Sequence, residues 1–516
     1  MIKRVLLVFL ALLFLPTVFA ENAEPKKLTN EKGYVYTLFE DDTAEIVGYT
    51  GKEKKLNIPD SLDGHTVVSI AHQAFYSASF SEVTVPASVK TIKEGAFEHC
   101  HNLKTVKLSE GLERIKDTAF WDCNGLTSIN FPDSLLEIGQ ALFFNCKVLK
   151  SITLSDNHPY LQLIDDVLLT RDRTTLLWYP MTKKDKEYAI PEGTVVIGSK
   201  AFSRQPQLTK VTVPDSVELI GDDAFENCPK LQEINIPPKV TRLGSALFGC
   251  DSLLKIHVSA ENPVFYSIDG VLFDRAEHKL VLYPSARKDK RYIIPNDTQI
   301  IGQSAFVRAQ FSEVEIPENI HKIEHGAFFS CNNLISVIIP EGVEMLTGTT
   351  FEACRRLKEV SLPRSLTTVG DNPFLWSVTL SKVNIDEDHP ALAMVDEALV
   401  SKKDMRLIWY PQTSKVKSFA VPEGIMVIGA FAFGGCEQLT EIVLPKGLQI
   451  IRSYAFARCT RLQRIVLPSS LFEIDKTAFL KDLMNANMTD ATFVVEAGSY
   501  ADNFCQAYGL KIEYAQ

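Results

Sequence analysis

A phenylalanine recurs along this chain at a nearly fixed step, and that step constrains the fold more than any other feature. The positions are Phe75, Phe97, Phe120 and Phe143, then Phe202, Phe225 and Phe248, then Phe306, Phe328, Phe351 and Phe374, and last Phe433, Phe456 and Phe479. Within each group the step is 22 or 23 residues; between groups it is 59, 58 and 59. A unit this short cannot bury its own apolar side, but stacked units bury one another, so a solenoid is expected.

One unit reads "CNGLTSINFPDSLLEIGQALFFNC" (Cys123 to Cys146). "LTSINFP" alternates like a strand, with Ile129 and Phe131 on one face. Pro132 ends it, because proline cannot donate to a continuing ladder. "LLEIG" is a second short extended piece turned at Gly139, and "ALFFNC" reads as a single helical or 3₁₀ turn. The pattern L-x-x-I-x-[IVFL]-P-x-x-[VL]-x-x-I-G-x-x-A-F-x-x-C resembles the BspA-like leucine-rich repeat family of bacterial surface and secreted proteins. The resemblance implies a β-rich α/β solenoid, a right-handed leucine-rich repeat horseshoe.

A longer period lies above the first. Phe75 to Phe306, Phe143 to Phe374 and Phe202 to Phe433 are each 231 residues apart. "HPYLQLIDDVLLTRDRTTLLWYP" from His158 aligns at that offset with "HPALAMVDEALVSKKDMRLIWYP" from His389. A tandem duplication is expected. The long gaps hold pairs ten residues apart around a charged turn (Leu169 and Tyr179, Phe273 and Tyr283, Val400 and Tyr410), which read as inserted β-hairpins. Phe39 and Tyr49 flank "EDDT" at the same distance and suggest a fourth copy as an N-terminal cap. "TFVVE", "GSYADNFCQAYG" and "LKIEY" read as strand, helix and strand, with Ser499 as N-cap and Gly509 as C-cap.

The N-terminus carries a basic start, "MIKR", a run of apolar residues, and small Val18 and Ala20 before acidic Glu21, the pattern of a secretory signal peptide. The expected organisation is therefore a signal peptide over 1–20, a linker over 21–33, and a capping hairpin with the first rung over 34–74. A first repeat block spans 75–264 with an insertion near 158–191. A second spans 265–490 with insertions near 265–295 and 389–422, and a β-α-β cap occupies 491–516. Removing Lys3 and Arg4 leaves 52 basic and 64 acidic residues, a net −12. No basic stripe is visible, so nucleic acid is not an expected partner. No membrane span is expected after signal cleavage, and the protein is expected to be secreted or surface-associated, and monomeric.

Eight cysteines (Cys100, Cys123, Cys146, Cys228, Cys331, Cys354, Cys436 and Cys459) sit three residues after a repeat phenylalanine. Metal ligation needs donors converging on one point, whereas this ladder spreads them along the solenoid axis. His99 and His101 flank Cys100 but map to Ser330 and Asn332 at the 231-residue offset. No metal and no cofactor are expected, and the two histidines read as passengers on an exposed turn. In-register cysteines on parallel rungs hold their Cβ atoms about 5 Å apart, beyond the 3.5–4.5 Å of a disulfide. The ladder Phe97, Phe120, Phe143, Phe225, Phe328, Phe351 and Phe456 with the eight cysteines is therefore expected to be buried packing with free thiols. "IDEDHP" and "SDNHP" cluster oxygens but lack the alternating ligands and turn glycine of a calcium loop.

No G-x-S-x-G elbow, H-E-x-x-H helix or phosphate-binding glycine loop is present, so no catalytic residue is assigned and no enzyme is expected. Function is expected on the outward residues of the strands: Glu82 and Thr84, Thr105 and Lys107, Ser128 and Asn130, Glu233 and Asn235, Glu313 and Glu315, Glu359 and Ser361. Such a face suits binding of a protein partner, and the resemblance implies host matrix or cell-surface proteins, or other microbes. The alternative is glycan binding by the hairpin aromatics Trp178, Tyr179, Tyr283, Trp409 and Tyr410, which could equally be packing.

Overall fold

The computed structural model describes residues 26–482 and 487–515. The signal peptide and the start of the linker lie outside the described residues. Two compact units form: residues up to 146 with 151–155, and residues 147–150 with 156–516. In each, the chain winds through successive β-turns of a solenoid. Among the described residues the only helix is Tyr500–Ala507.

A rung has three sides. The first is a strand of three or four residues, such as Glu82–Val85, Thr105–Leu108 and Ser128–Asn130, paired in parallel and in register with its neighbours. After the proline comes a two-residue strand, such as Thr91–Ile92, Arg114–Ile115 or Glu137–Ile138, also paired in parallel. The third side, expected as a helical turn, is a non-helical turn whose N–H groups bond to the next rung. Phe97 N–H donates to Ala119 O (2.9 Å) and His99 N–H to Trp121 O (2.9 Å). Two residues after the column residue of most rungs the backbone is left-handed, as at His99, Asp122 and Asn145 (φ +59°, +57° and +61°). Glycine takes this place at Gly435 (φ +77°), where no Cβ opposes the conformation.

The phenylalanine rings are buried and stack face to face from rung to rung. Phe75–Phe97, Phe97–Phe120 and Phe120–Phe143 centroids are 5.1, 5.3 and 6.1 Å apart. In the second unit Phe202–Phe225, Phe306–Phe328–Phe351 and Phe433–Phe456–Phe479 repeat this at 5.0–5.2 Å. One position departs from the sequence spacing. Phe248 is 39% exposed, and Leu247 fills the column instead. Gly249 then takes the left-handed place (φ +74°) and Cys250 falls three after Leu247, like every other cysteine of the ladder. That rung is one residue short, and the gap from Leu247 to Phe306 becomes 59, equal to the other two.

All ten cysteines are buried and free. Each ladder thiol donates to the main-chain carbonyl of the aromatic residue one rung back: Cys100 to Phe75 O at 3.0 Å, Cys123 to Phe97 O at 3.1 Å, Cys331 to Phe306 O at 3.0 Å. Ala309 fills the slot without a donor, but two other residues in it keep one. Ser377 Oγ reaches Phe351 O (2.7 Å) and Gln205 Nε2 reaches Tyr179 O (2.8 Å). The slot selects a small, mostly apolar donor, which a thiol satisfies while filling apolar space. Burial pushes the Cys459 thiol up to about 12 and Cys436 well up, so these two stay protonated and inert.

Each insertion is a three-stranded antiparallel meander: Leu161–Ile164, Val167–Thr170 and Thr175–Trp178; Phe265–Ile268, Val271–Asp274 and Lys279–Leu282; Leu392–Val395, Ala398–Ser401 and Arg406–Trp409. Its last strand pairs in parallel with the next rung's two-residue strand, so the insertion feeds back into the ladder. Leu28–Thr29, Tyr34–Leu38 and Ala44–Tyr49 make the same arrangement at the N-terminal end. Tyr179, Tyr283 and Tyr410 each begin a new ring column, and their hydroxyls meet Asp185 (3.0 Å), Asp289 (2.6 Å) and Ser414 (3.0 Å). The meanders open on a buried polar residue. His389 Nδ1 accepts from Ala391 and Leu392 N–H while Nε2 donates to Pro363 O (2.8 Å). Asn262 does the same work in the middle insertion, with Oδ1 accepting from Val264 and Phe265 N–H.

At the C-terminal end Thr492–Val495 extends the strand ladder, and Lys511–Tyr514 pairs beyond it. Between them Ser499 caps the helix by accepting from Asp502 N–H (3.1 Å), and Gly509 (φ +64°) lets the chain leave it. Phe504 packs on Phe479 and covers the last ring.

Cys123→Ala removes a donor and a buried sulfur, and is expected to cost about 1–2 kcal/mol. Cys123→Ser, which keeps the donor, should cost less. Urea unfolding of the two variants against wild type checks the order, and thiol titration should find ten reactive groups only after denaturation. Burial pushes the Asp289 carboxyl up, but hydrogen bonds from Tyr283 and Arg287 outweigh it and hold it below the usual carboxylate value. A carboxylate with a depressed folded pKa contributes stability above its unfolded pKa and loses it as pH falls through the folded one. Wild type should therefore lose stability below about pH 4. Asp289→Asn should be less stable at neutral pH, with the gap closing in acid, as read by melting temperature against pH.

Candidate functional site

Successive strands place their outward residues in registered columns, all half-exposed or exposed. The columns are not uniform in what they leave free. In the first unit Glu82 stands opposite Lys55 (2.9 Å) and Thr105, and Thr84 opposite Lys107. Asn130, expected in the binding face, is instead committed to the fold. Its Nδ2 donates to Leu108 O (2.7 Å) and its Oδ1 accepts from Leu108 N–H (2.8 Å). Asn235 clamps Val213 in the same way, at 2.7 and 3.0 Å. Glu233 lies 3.4 Å from His257. Glu359 accepts from Lys382 and Asn384 (both 2.7 Å), which hold its carboxyl below the usual value, and Ser361 accepts from Asn384 (3.1 Å).

Glu313 and Glu315 stand in a different setting. Glu313–Glu315 pairs with Arg291–Ile293 on one side, but Ser336–Ile338, the next strand, belongs to a separate sheet. The two-residue strands Lys322–Ile323 and Met345–Leu346 part at the same rung. Among the described residues this is the one place where consecutive rungs pair in neither strand ladder without an insertion between them. The third side stays closed. Phe328 N–H donates to Thr350 O (2.9 Å), and the Phe328 and Phe351 rings stack at 5.1 Å.

Over this seam lies a groove of about 1,070 Å³. Val314, Val337 and Ile339 line it with Ile293 and Ile338, which are 58% and 71% exposed. Around these apolar groups stand Glu313, Glu315, Glu318 and Glu341, against Arg291, which pairs with Glu315. Two exposed isoleucines, a surplus of carboxylates and two strand edges that part at one rung come together here.

The hairpin aromatics are elsewhere and covered. Trp178 is 8% exposed, Trp409 3%, and Tyr179, Tyr283 and Tyr410 at most 1%. Trp409 packs edge-on against Phe374 (5.7 Å). A sugar ring needs an open aromatic face, so these five residues offer no stacking platform. Asp386, in the candidate calcium stretch, is taken by Arg364 (2.7 Å). The histidines depart from expectation in the other direction. His99 and His101 do not stand apart on their turn but converge on Asp122 from the next rung, with His99 Nδ1 2.8 Å from Asp122 Oδ2.

The sequence profile of the BspA type leucine rich repeat region matches in six copies, over residues 68–165, 181–287, 285–393 and 409–512. The chain belongs to the BspA-type leucine-rich repeat family. Solved structures similar to it include a leucine-rich cell surface protein from Faecalibacterium prausnitzii, 23% identical, covering 96% of this chain and 100% of that one (TM-score 0.34). The pneumococcal vaccine antigen PcpA is 19% identical over 95% of this chain and 99% of its own (TM-score 0.35). A leucine-rich repeat protein from Bacteroides ovatus is 21% identical over 94% and 98% (TM-score 0.31). No curated protein matches the chain. Among the described residues of this repeat protein, no helix is long and apolar enough to cross a membrane.

Within this BspA-type repeat array, side chains of one column thus divide into clamps and free groups. Asn235→Ala should lower stability by about 1 kcal/mol through two lost backbone hydrogen bonds. Ile338→Ser, at an exposed site, should leave stability within about 0.5 kcal/mol of wild type. Parallel thermal melts of the two variants check the distinction.

Proposed function

We propose that this BspA-type protein is an exported, non-enzymatic binding protein that engages a partner protein through its strand face, with the groove at Glu313–Ile338 as the centre of contact. The groove carries the reading. It joins exposed apolar side chains to a one-sided ring of carboxylates on a repetitive, rigid scaffold. Large exposed apolar residues rimmed by polar groups mark interaction sites, and the acidic rim favours a partner with Lys or Arg beside its apolar anchor. The N-terminal segment, with its basic start, apolar run and small residues before Glu21, supports export. Family membership supports a surface or secreted location and partners on host matrix, host cells or neighbouring microbes. Burial of the five hairpin aromatics leaves the glycan alternative without a surface of its own.

The mature protein, immobilised and exposed to host matrix and bacterial surface fractions, is expected to retain a saturable protein partner. Replacing Ile293 and Ile338 together by Asp should weaken that binding at least about tenfold without altering the melting temperature, because both side chains face solvent. Absence of any saturable partner, or full binding by the double variant, would refute the reading.

A further inference from the structure

We infer that His99, His101 and Asp122 form a binding site for a late first-row divalent cation, zinc being the type, that bridges two consecutive rungs of the first unit. The inference is independent of the groove and of any partner protein.

Three donors converge there, one from each side chain, all within 4.8 Å of one another. His99 and His101 lie on one turn, and Asp122 occupies the place of His99 one rung on. Oδ2 of Asp122 is 2.8 Å from His99 Nδ1 and 3.8 Å from His101 Nδ1. A tetrahedral ion with bonds of about 2.0–2.1 Å needs its ligands about 3.3 Å apart. The two measured separations straddle that value, so small side-chain rotations admit the ion. Two imidazoles and one carboxylate suit zinc and its neighbours, whereas calcium and magnesium call for oxygen donors.

The surroundings orient the donors as outer groups do in metal sites. Asn145 Nδ2 donates to the far oxygen of Asp122, Oδ1, leaving Oδ2 toward the imidazoles. Glu98 Oε1 stands 3.5 Å from His99 Nε2, while Gln73 Nε2 donates to the other oxygen, Glu98 Oε2 (3.0 Å). That places a carboxylate behind one ligating histidine and leaves its Nδ1 for the ion. His101 Nδ1 lies 3.1 Å from Asp122 O and 3.3 Å from Asn124 Nδ2, contacts that a bound ion would replace. The Oδ1 atoms of Asn124 and Asn145 are buried and accept no hydrogen bond from any protein group. Asp122 is only 15% exposed and His101 54%, so the donors form a shallow bowl with an open position for water.

Repetition supplies the control. At the 231-residue offset His99, His101 and Asp122 become Ser330, Asn332 and Ala353. Ser330 and Ala353 have the same left-handed backbone (φ +58° and +59°). The turn thus folds without these donors and does not require them.

Chelator-treated mature protein titrated with Zn²⁺ by calorimetry should take up one ion per chain, with a rise in melting temperature. The variant His99→Ser, His101→Asn, Asp122→Ala should bind at least about tenfold more weakly while melting like metal-free wild type. In wild type, Zn²⁺ should also shield His99 and His101 from diethyl pyrocarbonate, as mapped by mass spectrometry, a readout that needs no variant. Excess Mg²⁺ should not compete. No saturable uptake, equal uptake by the triple variant, or no protection of the two histidines would overturn the site.

Discussion

Most rungs are held to the next by a pair of contacts at the same point of the chain: an aromatic ring laid on the ring before it, and a thiol, hydroxyl or amide donor pointed back at that residue's carbonyl. The ring contributes roughly 1.5–3 kcal/mol of burial. The donor keeps a main-chain oxygen from being buried with only part of its bonding satisfied. Because both features sit within four residues, a rung that places its phenylalanine also places its cysteine. The strands can then vary their outward residues, as they do from Glu82 to Glu359, without disturbing the join. Even where both strand ladders part, between Glu313–Glu315 and Ser336–Ile338, the Phe328–Phe351 contact is kept.

That asymmetry bears on function. A sheet fully paired on every rung presents a closed surface of side chains. Where the two ladders part, one main-chain bond, Ile335 N–H to Ser312 O (3.0 Å), still crosses, and Ile293 and Ile338 stand exposed beside it. Under the proposed function, a partner segment laid there would meet Glu313, Glu315, Glu318 and Glu341 together, which would repel an acidic one.

Periodicity made the fold legible. The 22–23-residue step, the meanders and the C-terminal strand–helix–strand follow from spacing and turn chemistry, and the structure realises them. The slip at Phe248 shows the limit of counting letters. A one-residue deletion moved Leu247 into the column, and the cysteine three residues on was the surer marker because its thiol must reach a carbonyl at fixed distance. The expected helical turn was lost to inter-rung pairing: a left-handed residue two after the phenylalanine sends its neighbours' N–H groups to the next rung, where no helix can continue. Asn130 and Asn235 occupy outward positions, so alternation alone counts them as surface. Only their hydrogen bonds to Leu108 and Val213 reveal them as clamps.

The seam and the histidine cluster were beyond the sequence for a shared reason. Each depends on what two neighbouring rungs do together. Nothing in "SEVEIPENI" or "NLISVIIPEG" states that their strands will fail to pair. His99 and His101 read as passengers because they do not repeat at the 231-residue offset, yet Asp122 was recoverable. In a solenoid the residue 23 positions on is a spatial neighbour, as close as the next residue but one in an ordinary turn. A search for donors at that offset pairs His99 with Asp122 at once, and Asp122 in turn with Asn145. In a stacked repeat, ligand spacing is read between rungs as well as along the chain, and a cluster judged by its own turn alone is judged on half its neighbours.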